Sequence, residues 1–199
     1  MRIYITNPAL VRAASLFTSS EESRYYLRGV HFSHAEQGGI YIVSTDGHRA
    51  SIGYDPDGFF EDGDDSAIVR FPPDFLLYLV IDGDMAHTTE SLANGCPINS
   101  GVVKWIDATY PAWQGMIPDS AFQTCHGAFN PRYLADFRTV RAALGLKIGA
   151  IYISGENAIS PHIVRIDGAE NWFGVIMPMQ CNMPSTLPSW YGKRQSKAA

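Results

Sequence analysis

Three times along this chain, a strand-like run leads through a proline into a helical pattern. The strings are Thr6-Asn7-Pro8-Ala9-Leu10, Phe71-Pro72-Pro73-Asp74-Phe75-Leu76 and Phe129-Asn130-Pro131-Arg132-Tyr133-Leu134. Proline suits the first helical turn because its missing N–H would have no partner there, and Asn7 and Asn130 are good caps ahead of it. After each helix come short β-like runs separated by Gly, Asn or Asp. The period is roughly 60 residues, longer than that of solenoid repeats. Such a repeat predicts an α+β fold of three β-α-β-β-β modules rather than a helical bundle or a doubly wound sheet.

In the first module Leu10, Ala13, Ala14 and Phe17 recur at the helical period, opposite Arg12 and Ser15. Strands are expected over residues 27–33 and 40–44, with a third beginning after His48. Ser44-Thr45-Asp46-Gly47-His48-Arg49 reads as a strand entering a tight turn, because Gly47 supplies the positive φ that the turn needs. His48 and Arg49 are thereby carried to a sheet edge. Residues 55–65 are rich in acids, but Asp57, Asp62, Asp64 and Asp65 do not have the spacing of an EF-hand loop. That stretch reads as a solvated linker. In the second module residues 75–80 are apolar all round, which marks a helix covered on more than one side and ended by Asp82-Gly83-Asp84. Residues 102–106 are its clearest strand.

The third module has the most regular helix, with Tyr133, Phe137, Val140 and Leu144 as its buried stripe. Ala135, Arg138, Thr139 and Ala142 lie opposite, with Arg132 and Arg141 at the margins. A face of small residues and arginine suits an approach to phosphate. Strands follow over residues 148–154, 163–166 and 173–177. Residues 181–199 read as an extended, mobile tail.

Several function classes are excluded. Ser44, Asp46 and His48 nearly adjoin on one strand and turn, where alternate side chains point to opposite faces, so they form no catalytic relay. No phosphate loop, dinucleotide fingerprint or His-Glu-x-x-His string is present. The remaining histidines are scattered without ligand spacing, and Cys96, Cys125 and Cys181 form no Cys-x-x-Cys pair. A non-enzymatic protein without metal or cofactor is expected. No apolar run is long enough to span a bilayer, and residues 1–6 lack the apolar core of a signal peptide, so a cytoplasmic, membrane-free location is expected. The net charge of −5 argues against a protein that simply coats nucleic acid, though a local basic lining can coexist with an acidic exterior.

The ordered set Arg24-Tyr25-Tyr26-Leu27, Thr45-Asp46-Gly47-His48-Arg49, Thr109-Tyr110-Pro111 and Val175-Ile176-Met177-Pro178-Met179 resembles the bacterial beta sliding clamp, the ring-shaped processivity factor of replicative DNA polymerase. The resemblance implies the clamp architecture, about one and a half clamp domains long. Residues 1–118 look like the complete middle domain, 119–180 like the second half of the last domain, and 181–199 like an added flexible tail. It also implies a cleft that receives short Gln- and Leu/Phe-containing motifs from polymerase, clamp-loader and repair proteins. The matching positions are Leu27, Thr45, Gly47, His48, Arg49, Pro111, Met116, Val175, Met177, Pro178 and Met179. An apolar groove lined by methionine and valine offers burial to an anchor side chain, and His48 and Arg49 would supply polar contacts. On the side of double-stranded DNA the resemblance points to Arg12, Arg24, Tyr25, Tyr26, Arg138 and Arg141. Two functions follow from it: a sliding clamp that tethers a polymerase, or a decoy or adaptor that captures such motifs without encircling DNA. Three modules per chain leave the third without a partner half, which predicts a homo-oligomer, dimer or tetramer.

Overall fold

A carboxylate with no exposed surface fixes the first helix. The computed structural model describes residues 2–61, 63, 65–71, 80–82, 85–87, 100–117 and 127–180. Strand β1 (Arg2–Tyr4) runs into helix α1 (Pro8–Ser15), whose expected cap Asn7 makes no side-chain cap bond. Asp55 takes that role from a distant strand end. It accepts the backbone N–H groups of Thr6 at 2.7 Å and Asn7 at 3.1 Å, and also the Thr6 hydroxyl. A buried carboxylate is tolerated only when its lone pairs are occupied, as they are here. The acidic stretch expected to be a solvated linker therefore begins inside the fold. Asp55 closes strand β4 (Arg49–Asp55), and Phe59–Phe60 form β5 against β1.

All the described strand pairs are antiparallel. Strands β2 (Val30–His34), β3 (Ile40–Thr45), β4 (Arg49–Asp55) and β6 (Ser66–Arg70) join β10 (Lys104–Trp105) on one side. On the other side they meet β11 (Ile151–Ser154), β12 (His162–Ile166) and β13 (Trp172–Ile176). The result is an eight-stranded sheet in the order β10-β6-β2-β3-β4-β13-β12-β11. A second sheet, β5-β1-β7-β8-β9, includes β7 (Val80–Asp82), β8 (Met85–His87) and β9 (Ser100–Val102). Val80 and Asp82, read from sequence as helix and helix end, belong to β7; residues 75–79 lie outside the described residues. The run 102–106 is likewise split, since β9 and β10 enter different sheets around the buried Val103. Leu27 ends a 3-10 turn (Glu22–Leu27) instead of opening a strand, and the expected strand 148–154 starts only at Ile151.

The large sheet buries both faces. Helix α1 and helix α2 (Pro131–Ala143) cover one face with Leu10, Phe17, Phe137 and Val140, while Ile42, Val164 and Trp172 rise from the strands beneath. Asn130 does cap α2, accepting the Arg132 N–H at 3.0 Å. The segment 106–117 covers the opposite face, where Tyr110 and Trp113 pack over Val43, Ile52, Ile68 and Val175.

The join between β4 and β13 ties the strands of residues 151–176 to those of residues 30–70. Its register runs from Trp172 opposite Gly53 to Ile176 opposite Arg49. The Trp172 indole N–H donates to the Ser51 hydroxyl at 2.8 Å, so the deepest aromatic in the seam has its polar atom satisfied. Gly174 permits the close approach of α2, because a Cβ there would stand 2.6 Å from a Phe137 ring carbon. Phe137 meets Phe17 edge-on at 5.2 Å and Trp172 at 6.2 Å, linking both helices and the seam in one aromatic cluster.

Candidate binding cleft at the seam

The turn after β3 is built by its own side chains. Asp46 Oδ1 accepts the N–H groups of His48 at 3.0 Å and Arg49 at 3.1 Å. Thr45 Oγ1 accepts the Gly47 N–H at 3.0 Å and donates to the Arg49 carbonyl at 2.8 Å. Gly47 has φ of 89°, where any other L residue would be strained. This lock directs His48 outward and Arg49 inward, as alternation past a tight turn requires.

Arg49 is held in place on all sides. Its Nε donates to Asp46 Oδ2 at 3.0 Å, and its Nη1 pairs with Asp136 on α2. The guanidinium carbon lies 4.5 Å from the centre of the Phe17 ring and 5.0 Å from that of Tyr133. With its side chain only 11% exposed, Arg49 works as a strut between the turn and α2. His48 stays exposed, stacked on Tyr133 at 5.7 Å. Its carbonyl accepts the Met177 N–H at 2.8 Å, just where the chain leaves β13.

These elements enclose a cleft of about 380 Å³. Its lining includes Leu27, Thr45, Gly47, His48, Arg49, Pro111, Met116, Val175 and Met177. Leu27 and Val175 are buried, whereas Met177 presents 38% of its surface. Pro111 and Met116 arrive from the covering segment, where a 3-10 turn (Trp113–Met116) is anchored by buried Trp113. Nine of the eleven residues expected at a peptide cleft are thus gathered from four separate parts of the chain. Pro178 and Met179 lie outside this lining, and Met179 is tied to Ala128 through its N–H at 2.7 Å.

The residues expected at DNA do not form one group. Arg24 and Tyr26 line the cleft, where Arg24 also pairs with Glu21 at 3.2 Å, while Tyr25 is 54% exposed beside them. Arg12, Arg138 and Arg141 belong to the helical layer, on the other side of the sheet. Arg12 donates to the Ala143 carbonyl at 3.3 Å and Arg141 to that of Lys147 at 2.9 Å. Beside α1 and α2 is a hollow of about 670 Å³ to which Arg28 and Arg70 contribute along with Arg12. Neither was expected from the sequence: Arg28 follows the 3-10 turn, and Arg70 ends a strand whose neighbours only the sheet order reveals.

A third hollow, of about 620 Å³, adjoins His31 and Tyr110, whose rings stack at 4.4 Å. Burial pushes the His31 imidazole down to about 4 and pushes the Tyr110 hydroxyl up. Among the described residues no group of three or more His, Cys, Asp or Glu is placed to hold a metal ion. None of the described helices is long and apolar enough to cross a membrane.

Comparison with known proteins gives the fold a family resemblance. No family model and no curated protein matches the sequence. Solved structures do match. DNA polymerase III beta chain from Streptococcus pneumoniae is 17% identical, with a TM-score of 0.58 over 90% of this chain and 64% of that one. DNA polymerase III subunit beta from Borrelia burgdorferi is 15% identical, with a TM-score of 0.64 over 92% and 63%. The sliding clamp from Pseudomonas aeruginosa, solved bound to griselimycin, is 16% identical, with a TM-score of 0.60 over 91% and 66%. The chain therefore has the sliding-clamp fold, and it spans about 64% of the length of the first of these structures.

Proposed function

We propose that this protein is a clamp-like processivity factor that tethers a DNA polymerase or another replication protein to DNA. In this reading residues 1–118 form one clamp domain and residues 119–180 a half domain, joined through the β4–β13 seam. The observation that carries it is the cleft at that seam. It combines a buried apolar floor of Leu27 and Val175 with the accessible thioether of Met177 and a rim that includes His48. A flexible thioether over an apolar floor accepts leucine or phenylalanine anchors of varied shape. The exposed His48 side chain at the rim offers a polar contact to an extended chain. Arg12, Arg28, Arg70, Arg138 and Arg141 give the helix-bearing side positive charge suited to the duplex backbone despite the acidic total.

The test is a fluorescence anisotropy titration with a labelled peptide that carries a glutamine followed by leucine and phenylalanine. The wild type should bind, and Met177→Ala should weaken binding by about 1–2 kcal/mol, or roughly tenfold. The folded state should be little changed, because Met177 is half exposed and only its backbone is tied to the turn. No binding at high micromolar peptide removes the cleft from the reading.

A further inference from the structure

The eight-stranded sheet ends at β11, and no described strand lies beside its outer edge. Edge strands in stable proteins usually carry a charge, a proline or a bulge that blocks pairing. β11 reads Ile-Tyr-Ile-Ser and carries none of these. Its far neighbour in the same sheet, β10, is protected by Lys104. Ile151 is 39% exposed and Tyr152 59% exposed, and Ile148 and Ile159 flank the strand at 89% and 69%. Two of the exposed large apolar side chains, Ile151 and Tyr152, thus belong to the edge strand itself.

We infer that this edge pairs with the same edge of a second copy, through a two-fold axis centred on Tyr152. Several features select that partner and register. Asp167 N–H donates to the Ala150 carbonyl at 2.9 Å, and Ala150 and Asp167 continue the β11–β12 register. Antiparallel alternation then makes the even positions of β11 the ones bonded to β12 and turns the N–H and C=O of Ile151 and Ile153 outward. An axis through Tyr152 sets Ile151 opposite Ile153 of the second copy, so these outward groups satisfy each other reciprocally. The two Tyr152 residues meet at the non-hydrogen-bonded site, where side chains are closest.

The same axis, normal to the sheet, keeps both helical layers on one side. Ile153 packs against the core beneath the helices, so Ile151, two positions away, shares that face. Pairing with Ile153 of the second copy covers the exposed flank of Ile151 with apolar surface. Charge agrees as well. Lys147 precedes the strand and Glu156 follows it, both exposed, and antiparallel pairing brings the Lys147 end of one copy to the Glu156 end of the other. A parallel arrangement would oppose like charges. The inference stands whether or not the cleft binds a peptide.

Sedimentation velocity from about 5 to about 300 µM covers the range expected of a short, weak interface. The wild type should shift from monomer to dimer across it. Tyr152→Lys places two cations at the axis and should weaken the dimer at least tenfold, while peptide binding at the cleft stays at the wild-type level. Tyr152→Cys should give an oxidised dimer in which mass spectrometry finds position 152 of one copy joined to position 152 of the other. A wild type that stays monomeric throughout overturns the inference. So does a dimer unchanged by Tyr152→Lys, or cross-linking that avoids position 152, since either outcome places the contact elsewhere.

Discussion

Replacing Phe137 with alanine is expected to lower the stability of the protein by about 3–5 kcal/mol, the cost typical of removing a fully buried aromatic ring. Phe137 has no exposed surface and stands where three elements converge. Its ring meets Phe17, just past the end of α1, and Trp172 of β13, and it rests over Gly174, which has no side chain with which to refill the space. Neither glycine nor the locked tryptophan can collapse into the vacancy, so the cost belongs in the upper part of that range. Because α2 also carries Asp136 and Tyr133, which hold Arg49 and His48, the loss should reach the turn that shapes the cleft. Urea unfolding followed by tryptophan fluorescence measures the first effect, and peptide affinity well below the unfolding midpoint measures the second. A loss under about 1 kcal/mol would mean that α2 and β13 are not held by this cluster.

Acid should destabilise the protein through His31. In the folded protein burial lowers this imidazole from 6.5 to about 4, so it stays neutral down to that pH. The unfolded chain takes up its proton near 6.5, which means that between these values the unfolded state binds more protons. Stability is therefore fully present above 6.5, falls as the pH drops from 6.5 to about 4, and loses nothing further from this group below that. The total loss from His31 is about 3 kcal/mol. Among the described residues no charged partner offsets it: the ring lies flat on Tyr110, and Nδ1 has no hydrogen-bond partner there. His31→Phe retains an aromatic ring against Tyr110 and should flatten the stability curve over this range. Denaturant titrations of both proteins at three pH values isolate the difference; parallel curves would show that His31 titrates normally.

The parts of this architecture that could be read from sequence are those written in local chemistry. The helices led by Pro8 and Pro131, the alternation of β3 and the turn at Gly47 each follow from residues within a few positions of one another, and each is found where the pattern puts it. Long-range contacts were invisible. Asn7 looked like a sufficient cap, yet the acceptor is Asp55, and nothing local distinguishes that aspartate from the acids after it. The sheet split between β9 and β10 is equally silent, because a strand's partners do not alter its own alternation. For the cleft, the family resemblance gathered residues that no spacing connects. It did not foresee that Arg49 would be consumed by Asp46 and Asp136, since α2 lies some ninety positions away, nor that Arg24 and Tyr26 would face the cleft.

Methionine methyl NMR tests most directly whether a peptide occupies the cleft at the β4–β13 seam. With all six methionines labelled, addition of the glutamine–leucine–phenylalanine peptide should move the Met116 and Met177 signals together, with one shared saturation curve. These two side chains come from separate segments and meet only at the cleft. Saturable binding that leaves both signals in place would contradict the account, because the peptide would then be held at some other surface.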